Sequence, residues 1–110
     1  MLNLISNAAE AMREITDRPR LLRVGSDVTQ DNSDVEITVE DSGAGVDEKD
    51  IGRIFEPFFT TKATGTGVGL AICRSIIEAH GGRISASRNT PYGMIFRIYL
   101  PFEEAQHWSR

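Results

Sequence analysis

The sequence predicts an α+β sandwich: one mixed, largely antiparallel sheet covered on one face by helices. Three observations predict it. Val35-Glu36-Ile37-Thr38-Val39-Glu40-Asp41 alternates strictly between apolar and polar, the pattern of a half-buried strand. Met94, Phe96, Ile98 and Leu100 repeat that alternation near the end of the chain. Two other stretches, residues 1 to about 16 and 68 to 79, carry apolar residues at helical spacing. The second face of the sheet is partly polar, through Glu36, Thr38, Glu40 and Arg97.

Composition narrows the function classes. The chain has 110 residues, enough for one domain with a modest core. A net charge of -4 argues against a nucleic-acid binder, which needs a basic face to meet phosphates. The single cysteine, Cys73, excludes an internal disulfide and a cysteine-rich metal site, and its apolar neighbours make it a small core hydrophobe. No apolar run reaches the roughly 18 residues of a membrane span, and no signal-peptide pattern opens the chain. A cytoplasmic segment without membrane contact of its own is expected, with the full-length protein open to anchoring. The domain is expected over 1–102, with a polar tail at 103–110 that is loosely ordered or docked on a partner. Met1-Leu2-Asn3-Leu4-Ile5 enters the helical pattern with no polar lead-in or capping residue. The expectation is that the first helix, and whatever preceded it, has been cut.

The elements follow in order. In the first helix Leu2, Leu4, Ile5, Ala8, Ala9, Met12 and Ile15 fit a 3.6-residue period. Asn3, Asn7, Glu10 and Glu14 form one polar stripe along it. Asparagine is a poor helix interior residue, because its amide competes for backbone hydrogen bonds. The stripe reads either as a solvated face or as an amide–carboxylate row facing a metal–phosphate ligand. Asp17-Arg18-Pro19 ends the helix. Arg20 to Ser26 reads as a strand with Leu22 and Val24 on one face, and residues 27–34 as a hairpin loop. In the next strand Val35, Ile37 and Val39 face the core, and the phase places Asp41 on that same side. A buried carboxylate needs hydrogen-bond donors. Gly43 and Gly45 then permit a tight turn and the close approach of a ligand. Asp41 reads as a ligand-binding group or as the cap of an Asx-turn.

Asp47 to Ile54 reads as a short helix capped by Asp47. Phe55-Glu56-Pro57-Phe58-Phe59 is an aromatic cluster whose rings read as a core plug. Thr60-Thr61-Lys62 brings hydroxyls and a cation; the lysine reads as a phosphate partner or as an ordinary surface residue. Gly65-Thr66-Gly67-Val68-Gly69 then opens a helix, where backbone N–H groups make an anion site. It is not a P-loop, since no Gly-Lys-Ser/Thr follows, and no strand leads into it as a Rossmann turn requires. In that helix Val68, Ala71, Ile72, Ser75, Ile76 and Ala79 share a face. His80-Gly81-Gly82 ends it, with His80 a residue compatible with the helix dipole. Residues 83–88 and 93–100 read as strands joined by Asn89-Thr90-Pro91-Tyr92.

Taken together these motifs resemble the ATP-binding catalytic domain of sensor histidine kinases, within the wider family of gyrase, heat-shock chaperone and mismatch-repair ATPases. Asn3-Leu4-Ile5-Ser6-Asn7-Ala8 resembles the asparagine box and Asp41-Ser42-Gly43-Ala44-Gly45 the first glycine box. Phe55 to Phe59 resembles the phenylalanine box and Gly65 to Leu70 the second glycine box. Four weak motifs in the family's order make a strong signal. Thr60 to Thr64 resembles the brief ATP lid of nitrogen-regulation and oxygen-sensing kinases.

The resemblance implies a Bergerat-type fold, ATP and Mg²⁺ as ligands, and a role for each residue. Asp41 would accept a hydrogen bond from the adenine amino group, with Gly43 and Gly45 shaping the adenine wall. Asn7 would ligate Mg²⁺ through its amide oxygen. Asn3 and Glu10 would lie beside the metal–phosphate site. Thr60, Thr61 and Lys62 would belong to the lid, the lysine offsetting phosphate charge. Gly65, Thr66, Gly67, Val68, Gly69 and Leu70 would surround the phosphates with backbone N–H groups. Asn3 stands where hydrolysing members of the wider family carry a glutamate base, which favours phosphoryl transfer over hydrolysis. The implied partners are a histidine-bearing dimerisation domain, absent from this sequence, and a response regulator receiver domain. A nucleotide-binding regulatory module without catalysis is the rival reading. An anti-sigma-factor-like serine kinase is a third.

Overall fold

The computed structural model describes residues 2–57 and 69–101, with the side chains of Leu2 and Asn3 left aside. Helix α1 (Leu2–Ala11) leads to strand β1 (Leu22–Val28), then β2 (Asp34–Asp41). A 3-10 turn at Glu48–Arg53, helix α2 (Gly69–Ala79) and strands β3 (Arg83–Arg88) and β4 (Met94–Pro101) complete the order. The four strands form one sheet in the order β1-β2-β4-β3, with every described ladder antiparallel. This is the predicted α+β sandwich, with β2 and β4 in the sheet's interior.

Strand phase decides the core. Val39 on β2 and Met94, Phe96 and Ile98 on β4 are buried on the helix side, and Ile37 and Leu100 pack against them. Leu4 of α1 is 0% exposed and joins Cys73 and Ile77 of α2 in the same cluster. Phe55 completes it with an edge-on contact to Phe96, ring centroids 6.2 Å apart. Phe55 thus fills the core as expected; Phe58 and Phe59 lie outside the described residues.

Several boundaries differ from expectation. Helix α1 stops at Ala11, five residues short of the predicted end near residue 16. Its C-terminal turn loosens into turn-type bonds, Arg13 N–H to Glu10 O and Ile15 N–H to Met12 O. Ser42 Oγ donates to Met12 Sδ at 3.4 Å and Gly43 packs on the Ala11 backbone, so tertiary contact wins over periodicity. The face assigned to α2 is also rotated. Cys73 and Ile77 are buried with Leu70 packed beside them, while Ile72 and Ile76 are exposed. Both stripes are apolar at helical spacing, so the 3.6-residue period could not choose between them. The Asp47 side chain makes no capping bond; its carbonyl accepts from Asp50 N–H at 2.8 Å instead.

His80 ends α2 as a cap, its Nδ1 2.9 Å from the Ile76 carbonyl oxygen. On β1, Leu22 and Val24 do share the core-side face, opposite Asp41 and Val39. They are nonetheless 42% and 50% exposed, because the helices rest on β2 and β3.

Candidate functional site

Of the residues proposed from the sequence as a site, Asp41 stands where β2 runs out. Asp41 is its last residue and the one buried charged side chain among the described residues, 4% exposed. Its Oδ1 accepts from Gly43 N–H at 2.8 Å and, more weakly, from Met94 N–H at 3.4 Å. The first bond is the Asx-turn geometry considered from the sequence; the second ties the carboxylate to β4. Burial with donors on the charged form is the arrangement a low-dielectric carboxylate requires.

Glycines build the walls around it. A Cβ on Gly43 would stand 2.7 Å from the Ala11 carbonyl oxygen, so glycine lets the end of α1 press directly onto the turn. Gly45 (φ 75°) lies against the Gly93 carbonyl, 3.1 Å from where a Cβ would be. Gly93 (φ 84°) meets the backbone and carboxylate of Asp41 so closely that any Cβ would overlap its carbonyl oxygen. Sequence reading passed over Gly93 as the start of a strand. The Pro91-Tyr92-Gly93 turn was the available signal, since glycine closing such a turn marks a left-handed position.

Helix α1, which carries Asn7 and Glu10, meets this turn at its end, through Ala11 and Met12. Asn7 is half-buried and Glu10 exposed, with Glu10 Oε2 3.5 Å from Arg13 Nη1. Gly69 and Leu70 open α2, both half-buried, and Leu70 packs on the core. Thr60, Thr61, Lys62, Gly65, Thr66, Gly67 and Val68 lie outside the described residues, as does the side chain of Asn3. Among the described residues no His, Cys, Asp and Glu side chains group to hold a metal ion. The donor set at Asn7 is a neutral amide oxygen, a hard ligand of the kind Mg²⁺ accepts beside phosphate oxygens. That chemistry, and the packing of Asn7's helix on the Asp41 turn, fit a magnesium–nucleotide ligand. No helix among the described residues is long and apolar enough to cross a membrane.

A second structure backs the turn and was missed from the sequence. Arg18, 14% exposed at its side chain, donates from Nε to the Ser42 carbonyl and from Nη2 to the Gly43 carbonyl, each at 3.0 Å. Its guanidinium lies 3.8 Å from the centre of the Tyr92 ring and pairs with Asp17 at 3.1 Å. Ser42 Oγ donates to Pro19 O at 2.8 Å and accepts from Leu21 N–H at 2.9 Å. Beside these groups lies a cleft of about 350 Å³, walled by Arg18, Arg23, Glu40, Asn89 and Tyr92. Of the predicted site residues that the structure describes, only Asp41 lines it. The arginine read as part of a helix stop, and nothing in its local pattern pointed to a partner 24 residues away.

A four-stranded antiparallel sheet under two helices, with an inward carboxylate before a glycine turn, is the α/β sandwich that the sequence predicts. The family model "Histidine kinase-, DNA gyrase B-, and HSP90-like ATPase" matches residues 1–104, and the chain belongs to that family. It is 45% identical to the sensor protein TdiS of Thauera aromatica over 101 residues, 92% of this chain and 18% of TdiS. The catalytic domain of histidine kinase ThkA superposes with a TM-score of 0.73 at 40% identity, covering 91% of this chain and 62% of that one. Full-length ShkA in complex with AMPPNP superposes with a TM-score of 0.74 at 27% identity, covering 91% of this chain and 20% of that one. The chain spans about a fifth of the length of the curated relatives it matches.

Proposed function

We propose that the chain is the ATP-binding kinase module of a two-component sensor. It passes the γ-phosphoryl of ATP to a histidine on a separate dimerisation domain, for relay to a response regulator receiver domain. Asp41 carries the reading. An ionised carboxylate only accepts hydrogen bonds, so a buried one at a ligand wall selects a ligand edge that donates, as the adenine amino group does. Gly43 N–H fixes its orientation at 2.8 Å. Asn7 holds Mg²⁺ through its amide oxygen, with Asn3 and Glu10 on the same helical stripe. Gly65, Gly67 and Gly69 offer backbone N–H groups to phosphates, flanked by Thr66, Val68 and Leu70. Lys62 offsets phosphate charge, and Thr60 and Thr61 close over the ligand. The bound magnesium ion supplies charge neutralisation on the triphosphate. Asn3 cannot take a proton from water, which supports transfer to a protein over hydrolysis. The sensor-kinase names of the relatives, and the AMPPNP bound to ShkA, support the same reading.

Calorimetry with ATP, with and without Mg²⁺, tests the site. Binding should depend on Mg²⁺ and weaken at least about tenfold in Asp41→Asn. No binding by a cooperatively folded wild-type chain overturns the reading. A histidine-bearing helical segment supplied in trans should then acquire acid-labile phosphate; acid-stable phosphoserine would mark a serine kinase instead.

A further inference from the structure

We infer that Arg18 is a positioning residue for adenine recognition, acting on Asp41 through the Ser42–Gly43 peptide. The inference rests on Asp41 as the adenine-binding carboxylate. The two ends of one peptide unit carry it. The carbonyl of Ser42 accepts from Arg18 Nε at 3.0 Å, and the N–H of the same peptide, on Gly43, donates to Asp41 Oδ1 at 2.8 Å. In a trans peptide the C=O and N–H point in opposite directions, so a group gripping the oxygen sets where the hydrogen aims. A cationic donor on the oxygen also polarises the unit and strengthens the N–H as a donor. Arg18 grips the next carbonyl too, through Nη2 to Gly43 at 3.0 Å. A forked guanidinium holding two successive carbonyls leaves the peptide plane little freedom to rotate.

The arginine is itself held from two sides. Tyr92 lies under its plane at 3.8 Å, and Asp17 pairs with Nη1 at 3.1 Å to both carboxylate oxygens. Tyr92 belongs to the turn whose Gly93 packs against Asp41, and Asn89 Nδ2 reaches the Asp41 carbonyl at 3.4 Å. Arg18 therefore joins the α1–β1 connection, the glycine turn and the β3–β4 connection at one point behind the carboxylate. It touches the turn's backbone, and its effect on the ligand passes through Asp41.

The test is a double-mutant cycle read by calorimetry on the 110-residue chain, using ATP and inosine triphosphate, which lacks the exocyclic amino group. Arg18→Met should weaken ATP about tenfold and inosine triphosphate less than about twofold, and should add nothing in an Asp41→Asn background. Arg18→Lys keeps the charge with a single donor point. It should give a smaller ATP loss in the same direction, and it carries the test if circular dichroism shows Arg18→Met unfolded. Equal losses for both nucleotides, an unchanged ATP affinity, or additivity with Asp41→Asn would overturn the inference. A wild-type chain that does not prefer ATP, with Asp41→Asn silent, overturns the Asp41 assignment itself and the inference with it.

Discussion

Replacing Gly93 by alanine tests how the Asp41 site is built. Gly93 is buried with φ 84°, a region in which an L-residue places Cβ against the backbone, at roughly 1–2 kcal/mol. The new methyl also overlaps the Asp41 carbonyl and stands 2.7 Å from Asp41 Oδ1. Both are parts of a packed β2–β4 seam, so relief requires moving one strand end, at about 1–3 kcal/mol. Together the destabilisation is about 2–5 kcal/mol, against a total of about 5–15 kcal/mol for a domain of this size. Thermal melting by circular dichroism should show a fall of roughly 10–20 °C. ATP affinity measured below the transition should fall as well, because the displaced group is the carboxylate proposed to meet adenine. Gly52→Ala is the control. A Cβ there meets nothing within 4 Å, and the change should be neutral or stabilise by up to about 1 kcal/mol. If Gly93→Ala melts within about 3 °C of wild type and binds ATP normally, the tight contact with Asp41 is not what shapes the site.

Other consequences follow from packing and burial. Leu4→Ala removes a side chain that is 0% exposed and should destabilise by about 2–5 kcal/mol in urea unfolding with m unchanged. Burial pushes the Cys73 thiol above its ordinary range, so the native protein should resist thiol reagents at neutral pH and react at the rate of unfolding. The linkage has a definite sign. The unfolded thiol ionises first, at about pH 8.5, so the unfolded state binds fewer protons above that value. Stability is therefore complete below it and falls as pH rises toward the raised native value. A Cys73→Ala chain should show a shallower alkaline decline in urea titrations.

What the sequence made legible was set by period. Strand alternation has period two, so a single phase put Val39 and Asp41 on the core face, and both are buried. The same reasoning placed Met94, Phe96 and Ile98 inward. Helical spacing was less decisive, because two apolar stripes on α2 satisfied it and only the sheet chose Cys73 and Ile77. The reach of α1 was overestimated for a related reason: Met12 continues the pattern and is buried, yet the backbone there has already left the helix. Asp41 and its glycines stood out because carboxylate and glycine are chemically unusual at the end of an apolar row. Arg18, Asn89 and Gly93 did not, since their partners at Ser42 and Asp41 lie far off in sequence and meet only through the register of β1, β2 and β4.

Among the described residues, strand β1 lies at one margin of the sheet, bonded to β2. Its core-side residues are about half open to water, so little apolar burial restrains it from fraying. Asp41 is shielded from that fraying by where its bonds go. Its carboxylate is held by Gly43 in its own turn and by Met94 on the inner strand β4. The Asp41 carboxylate thus stands on the inner seam of the sheet, and the half-open strand stands outside it. Amide hydrogens along residues 22–28 are then free to exchange through brief local opening while those of β2 and β4 wait for global unfolding.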